Sequence, residues 1–93
     1  MKSLAIAALA GSAALFSLGA TAAPKCTDAP RGKWMPEQAL KDRLLKQGYT
    51  IDKFKVSGQC YEIYGQDKAG NDVEIYFDPT DGRVVKRRGG GDD

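Results

Sequence analysis

Histidine is absent from the 93-residue chain, and only two cysteines, Cys26 and Cys60, are present. The absence of histidine removes the commonest general base and metal ligand, and two thiolates alone make a poor zinc site. An excess of charge of one sign is also lacking, because 14 basic and 12 acidic residues give a net charge of +2. A balance this close is not typical of a dedicated nucleic-acid binder. We therefore expect no metal ion, no cofactor and no nucleic-acid partner.

Long apolar runs are lacking except at the N-terminus. Lys2 precedes an uncharged stretch from Leu4 to Leu18, and small residues follow at Ala20 and Ala22. This three-part order predicts a secretory signal peptide over residues 1–22. The apolar stretch of about 15 residues is shorter than the ~20 that a membrane-spanning helix needs. We therefore expect a periplasmic or secreted bacterial protein, without stable membrane insertion after cleavage.

The chain that remains is short. Removal of residues 1–22 leaves 71 of the 93 residues, and a domain of that size buries only about 60% of its unfolded surface. A deep, enclosed active site is therefore not expected. We assign one domain to residues 23–88 and expect residues 89–93, which are all glycine or aspartate, to form a disordered tail.

The two cysteines are interpreted as a pair. An even number of cysteines in a small exported chain favours a disulfide, which here joins Cys26 to Cys60 and closes a loop of 35 residues. A cross-link of that length is worth about 3–4 kcal/mol in the chain-entropy treatment. The alternative interpretation is a reactive pair, although no C-x-x-C spacing is present.

One amphipathic helix is predicted from about Pro36 to Gln47. Proline suits a first helical position because its missing N–H is not needed there. Leu40 and Leu44 lie four residues apart and share a face, and Gly48 fits the left-handed position that ends a helix. The charged residues of this segment are expected to face solvent.

A period of two replaces the helical period after Gly48. Strands are predicted over residues 49–56, 60–66, 72–77 and 83–86, with turn-forming residues between them. A bulge is expected near Asp52, because the apolar residues before and after it have opposite phase. The basic triplet at residues 86–88 is interpreted as the start of a solubilising, unstructured tail. The predicted fold class is α+β, with one helix packed on a meander of three or four antiparallel strands and one disulfide.

The predicted core lies between this helix and one face of the sheet. It comprises Leu40, Leu44, Phe54, Val56, Tyr61, Ile63, Val73, Ile75 and Phe77. Alternation points Tyr64 and Tyr76 to the opposite face, where exposed aromatic side chains are typical of binding sites. The alternative is that the N-terminal segment covers them. Cys60 shares their phase, so a bond to Cys26 brings that segment, with Trp34, to the same face. Our candidate binding residues are Tyr64, Tyr76 and Trp34.

Candidate catalytic groups are few. No hydroxyl group has a histidine to activate it. Glu62 and Glu74 are expected on adjacent strands and on one face, which resembles a catalytic carboxylate pair. Cross-strand links to the lysines of the first strand explain the two carboxylates more simply. The aspartates of the loops are typical of turns and lack the spacing of a calcium-binding loop. We therefore predict a protein that is not an enzyme.

Several segments taken together resemble a known family. They are Cys26-Thr27-Asp28-Ala29-Pro30, Lys33-Trp34-Met35, Gly48-Tyr49-Thr50, Cys60-Tyr61-Glu62-Ile63-Tyr64 and Asp78-Pro79-Thr80-Asp81-Gly82-Arg83-Val84-Val85. In this order, from about Cys26 to Lys86, they resemble the small exported PepSY-domain proteins of bacteria. Related PepSY domains occur in the propeptides of secreted thermolysin-like metallopeptidases, where a role in inhibiting or regulating the peptidase is proposed. The resemblance supplies no catalytic residues.

Two functional hypotheses follow. The first is a non-enzymatic periplasmic binding or regulatory module that contacts a protein or a peptide, with a peptidase as one candidate partner. Its contact surface is the second face of the sheet, or a sheet edge that accepts a peptide strand. The second is an envelope accessory protein of a redox or metal-handling system, in which Cys26 and Cys60 cycle or the acidic loops hold a cation.

Overall fold

The computed structural model describes residues 23–90. A short 3-10 helix (Arg31–Lys33) and one α-helix, α1 (Glu37–Lys46), precede four strands: β1 (Thr50–Ser57), β2 (Cys60–Gln66), β3 (Asp72–Phe77) and β4 (Val84–Gly89). The strands form an antiparallel sheet in the order β1-β2-β3-β4, which confirms the predicted α+β meander. The predicted signal peptide and residues 91–93 of the predicted tail lie outside the described residues.

The ends of α1 follow from its flanking residues. Pro36 is the residue just before the first helical turn, with φ −59° and ψ 141°. The helix therefore begins at Glu37, one residue later than predicted. The proline ring fixes φ near the helical value, but the extended ψ keeps Pro36 outside the helix. Gly48 has φ +97°, which is the left-handed conformation predicted for it. Its N–H donates to the Leu45 carbonyl over 3.0 Å and ends the helix.

The predicted bulge is present in β1. The pairing of β1 with β2 shifts between Ile51 and Lys53, which leaves Asp52 without a partner residue on β2. Gly65 lies opposite the bulge, and a Cβ atom there would overlap the Thr50 carbonyl oxygen. The bulge reverses the phase of the strand. As a result, the apolar residues on both sides of it pack against the same core.

The core lies between α1 and the face of the sheet that we call the inner face. Its fully buried members are Leu40, Leu44, Tyr61, Ile63, Val73, Ile75 and Phe77. Phe54 and Val56 are half-buried against this cluster, so all nine predicted core residues are located in it. The helix contacts the sheet mainly along β1. Leu45, one residue beyond the inward-facing Leu44, is 54% exposed.

Strand β4 is longer than predicted, and the expectation that residues 86–89 are unstructured is wrong. Arg87 lies opposite Ile75, and Gly89 lies opposite Val73. Pairing to β3 satisfies those backbone N–H and C=O groups of these residues that point toward β3, although their side chains add little apolar burial. Arg87 also forms an ion pair with Asp67 over 3.2 Å, which fastens β4 to the loop between β2 and β3.

The N-terminal segment, residues 23–35, crosses one end of the sheet. The predicted disulfide joins Cys26 to Cys60, with a Cα–Cα distance of 5.2 Å. The side-chain amide of Gln59, in the turn between β1 and β2, donates to the carbonyls of Thr27 and Ala29 over 3.2 and 3.3 Å. This end of the sheet is therefore covered by polypeptide that begins on one face and continues onto the other.

The prediction that Trp34 lies near the same face as Tyr64 is wrong. Its ring meets the Tyr61 ring edge-on at 5.4 Å, and Tyr61 is part of the inner-face core. The Trp34 indole N–H donates to the Ala29 carbonyl over 3.0 Å. The nine residues from Cys26 to Trp34 are enough to pass round the end of the sheet, so the disulfide does not determine the face on which Trp34 packs.

Candidate binding face

The face of the sheet opposite α1, which we call the outer face, carries polar and aromatic side chains in two rows. The strand register gives one row as Lys53, Tyr64, Glu74 and Arg88, and the other as Lys55, Glu62, Tyr76 and Lys86. Each edge strand contributes two cations, and each central strand contributes one glutamate and one tyrosine. The glutamate and the tyrosine exchange places between the rows. The two carboxyl groups are therefore diagonal neighbours, and so are the two phenols.

The N-terminal segment covers one of the two tyrosines. Tyr76 is 3% exposed and packs against the Cys26–Cys60 disulfide and Ala23. Its hydroxyl donates to Glu74 Oε2 over 3.1 Å. Burial, reinforced by this hydrogen bond, raises the pKa of Tyr76. For Tyr76, the structure therefore agrees with the second prediction, in which the N-terminal segment covers the ring.

Tyr64 lies in the open part of the outer face and is 38% exposed. A hydrogen bond with Glu62, aided by burial of the hydroxyl, raises the pKa of Tyr64 to about 12. The phenol is therefore neutral near pH 7, and part of its side chain is exposed to solvent. The structure thus separates two residues that the sequence treated alike, and a binding role for either remains a prediction.

Glu62 is the most unusual polar residue of the face. It is 1% exposed, and its Oε2 atom has no hydrogen-bond donor among the described residues. The nearest cation is Lys55, whose Nζ lies 4.0 Å from Oε1. Burial, together with hydrogen bonding to Glu74, raises the pKa of Glu62. A proton on Glu62 would allow this buried carboxyl to donate a hydrogen bond to Glu74.

Glu74 behaves in the opposite way. A hydrogen bond from Glu62 is the main cause that lowers the pKa of Glu74, and the Tyr76 hydroxyl and the nearby Arg88 guanidinium act in the same direction. Arg88 Nη1 lies 3.9 Å from Glu74 Oε1. From these opposite pKa shifts we expect the two glutamates to share one proton, with Glu62 as the acid and Glu74 as the carboxylate. The expected link from the lysines of β1 is found at Glu62 only, since Glu74 pairs with β4.

The acidic loops are organised by turn hydrogen bonds, as predicted. Asp67 accepts from the N–H groups of Ala69 and Asn71 over 3.0 and 2.9 Å. Asp78 accepts from the Thr80 N–H and hydroxyl over 2.8 and 2.6 Å. Between residues 23 and 90, no three side chains of the types that bind metal ions come together. The hydrogen bonds that Asp67 and Asp78 accept stabilise the turns in which they occur.

A cleft that the sequence did not indicate lies between the C-terminal end of α1 and the loop between β2 and β3. Its volume is about 500 Å³, and it is lined by Gln47, Tyr49, Asp67, Lys68, Ala69, Asn71 and Arg87. The ion-paired side chains of Arg87 and Asp67 both line it. Arg87 belongs to the part of β4 beyond Lys86, so a strand predicted to end at Lys86 did not indicate this lining residue.

The outer-face arrangement did leave a signal in the sequence. Each strand carries a pair of polar or aromatic residues two positions apart: Lys53 and Lys55, Glu62 and Tyr64, Glu74 and Tyr76, Lys86 and Arg88. A spacing of two places both members of a pair on one face of a strand. Their alignment into rows depends on the register between strands, which the spacing alone does not give.

The fold and the outer face together define a small, disulfide-linked α+β module. The family model described as peptidase propeptide and YPEB domain matches residues 4–88. The chain therefore belongs to the PepSY family, as its resemblance indicated. No curated protein and no solved structure matches it. Among residues 23–90, no helix has the length and apolar character needed to cross a membrane.

Proposed function

We propose that this PepSY domain is a non-enzymatic binding module of the bacterial envelope, and that it restrains or regulates a peptidase through its outer face. Membership of a family of peptidase propeptide domains supports the choice of partner. The signal-like N-terminus and the disulfide, which is typical of oxidising compartments, support export to the periplasm or beyond.

The observation that carries the proposal is the exposure of the Tyr64 ring among the paired, charged side chains of the outer face. Aromatic side chains with a polar tip are common anchors of protein interfaces. Tyr64 is flanked on its row by Lys53 and Glu74, so a partner that covers the ring also meets charges of both signs. Its neighbour Tyr76 is already covered by this chain, which leaves Tyr64 as the accessible ring.

Rigidity explains how so small a domain could bind with useful affinity. The disulfide and the Gln59 hydrogen bonds hold the N-terminal segment against the sheet. A surface that is already ordered loses little conformational entropy when a partner binds. The domain would then occlude a peptidase by occupying its surface, and it needs no chemical step of its own.

The alternative redox role has less support. Cys26 is 6% exposed and Cys60 is fully buried, whereas cysteines that exchange disulfides are reached by an attacking thiolate. The bond is also part of the cluster that covers Tyr76. We therefore assign the disulfide a structural role.

The test is inhibition of a mature, secreted, thermolysin-like metallopeptidase. Thermolysin itself serves as the probe, and a fluorogenic peptide serves as its substrate. The oxidised protein should inhibit, and Tyr64→Ala should raise the inhibition constant about tenfold or more, as expected for an aromatic anchor. Tyr64→Ala should change the unfolding free energy by less than about 1 kcal/mol, because the ring is exposed.

Tyr76→Ala provides the matched control. It should destabilise the domain by about 3 kcal/mol, because a buried ring is lost, while the fraction that stays folded inhibits as before. Absence of inhibition by the unaltered protein would contradict the choice of a thermolysin-like peptidase. Equal inhibition by Tyr64→Ala and the unaltered protein would remove the outer face as the contact surface.

A further inference from the structure

The edge strand β4 is the most exposed strand of the sheet. Five of its six residues are exposed, and only Arg87 is half-buried. Val84 and Val85 are 49% and 37% exposed, and they are two of the four large apolar residues exposed among residues 23–90. The opposite edge, β1, is half-buried along its second half, contacts α1 and has Lys41 Nζ 5.2 Å from its Phe54 ring.

The charge of β4 is entirely positive. Lys86 and Arg88 lie on the outer-face side, in register with Tyr76 and Glu74, whereas Val84 lies on the inner-face side opposite Phe77. An additional strand paired to β4 would place alternate side chains on these two sides. Directly opposed residues of neighbouring strands interact, and opposite charges across a pair are favourable.

We propose that β4 is a docking edge for an extended, acidic segment of a partner protein, which adds a fifth strand to the sheet. The segment carries Asp or Glu at the alternate positions that face Lys86 and Arg88, and an apolar residue farther along it faces Val84. This inference rests on the proposed function and deepens it by naming the chemistry of the partner segment, which it places at the β4 edge of the outer face rather than on Tyr64.

Charge complementarity decides between this occupant and a second copy of the chain. Two β4 strands paired edge to edge would oppose Lys86 and Arg88 to the same residues of the other copy, and like charges directly opposite are destabilising. Lysine on an exposed edge also discourages such pairing in general. An acidic segment turns the same cations into favourable contacts.

The experiment uses the oxidised protein and two blocked seven-residue peptides, one alternating glutamate with valine and one alternating lysine with valine. Binding is followed by amide chemical shifts and by hydrogen exchange. The acidic peptide should bind at least tenfold more tightly than the basic peptide. Its shifts should centre on β4, and the outward-facing amides of that strand should exchange more slowly.

A pair of matched variants identifies the edge. Lys86→Glu should lower the affinity for the acidic peptide about tenfold and raise the affinity for the basic peptide. The reason is that an attractive cross-strand charge pair becomes a repulsive one. Lys53→Glu makes the same charge change at an exposed position of β1 and should alter binding less than twofold. Both lysines are exposed, so both variants should fold, which the amide spectrum of each will establish.

Three outcomes would overturn the proposal. They are equal affinity for the two peptides, equal losses in Lys53→Glu and Lys86→Glu, and a dimer of the free protein that pairs through β4. Failure of the peptidase test does not bear on this one, because the peptides are studied without a peptidase. Peptide binding at β4 with no inhibition of the peptidase would refute the proposed function and leave the docking edge standing.

Discussion

Replacement of Glu62 by glutamine tests the shared proton on the outer face. Glutamine has the shape of a protonated glutamate, and its amide can donate to Glu74 as the acid does. At neutral pH an ionised Glu62 would have one buried oxygen without a hydrogen-bond donor. The nearest cation, Lys55, would lie 4.0 Å away. The substitution removes the ionised form and keeps the hydrogen bond.

The sign of the effect follows from the direction of the pKa shift. The pKa of Glu62 is raised above its ordinary value of 4.5 in the folded protein, so the folded state holds this proton more tightly than the unfolded state. Stability from this group is therefore full below pH 4.5 and is lost as the pH rises through the folded pKa. Glu62→Gln should be nearly neutral at pH 4. It should raise the unfolding free energy by about 1–2 kcal/mol at pH 8, within the range for a buried unsatisfied group.

Glu74→Gln is the matched control with the opposite sign. The pKa of Glu74 is lowered below 4.5, so its stabilisation is present above pH 4.5 and is lost as the pH falls through the folded pKa. This variant should cost about 1–2 kcal/mol at pH 8, since it removes hydrogen bonds to a charged group. The loss should shrink below pH 4.

Urea unfolding of the three proteins from pH 3 to pH 9 measures these differences. The two variants should diverge from the unaltered protein in opposite directions as the pH rises. If Glu62→Gln is as destabilising at pH 8 as Glu74→Gln, then Glu62 is ionised and held by Lys55, and the shared proton is refuted. Direct carbon NMR titration of the two carboxyl groups should agree with the unfolding data.

Two further predictions concern the fold. Changing Cys26 and Cys60 together to serine should cost about 2–5 kcal/mol; an unchanged melting temperature in reductant would contradict a structural disulfide. Ile75→Ala should cost about 2–5 kcal/mol because Ile75 is fully buried in the core, whereas Leu45→Ala, which truncates a side chain that is 54% exposed, should cost well under 1 kcal/mol. Similar losses at these two positions in thermal unfolding would mean that the helix packs differently.

The periodic features of the chain were predictable because they depend on neighbours in sequence. The helical spacing of Leu40 and Leu44 and the left-handed Gly48 locate α1 and its end. The bulge at Asp52 could be inferred from the phase change alone, since a strand cannot bury two opposite phases on one face without an extra residue. The pairing of Cys26 with Cys60 followed from a count of two cysteines in a chain that we predict to be exported.

Features that depend on contacts across the sheet were predicted less well. The extension of β4 through residues 86–89 rests on backbone pairing to β3, which leaves no apolar pattern in β4 itself. Trp34 packs beside Tyr61 because the segment passes round the end of the sheet, and no local spacing encodes that path. Tyr64 and Tyr76 have different environments because the Cys26–Cys60 bond covers only Tyr76.

The amino-acid sequence by itself determined the elements, the faces of the strands and the disulfide, because each is governed by local periodicity, by turn chemistry or by the number of cysteines. Only the tertiary structure decided which residues of different strands become neighbours. The strand register brings Glu62 beside Glu74 and Arg88 beside Glu74. Burial then raises the pKa of Glu62, whereas the hydrogen bond from Glu62 lowers the pKa of Glu74. A shift of one strand by one residue would keep all four strands but separate these side chains, because every side chain of the shifted strand would move to the other face.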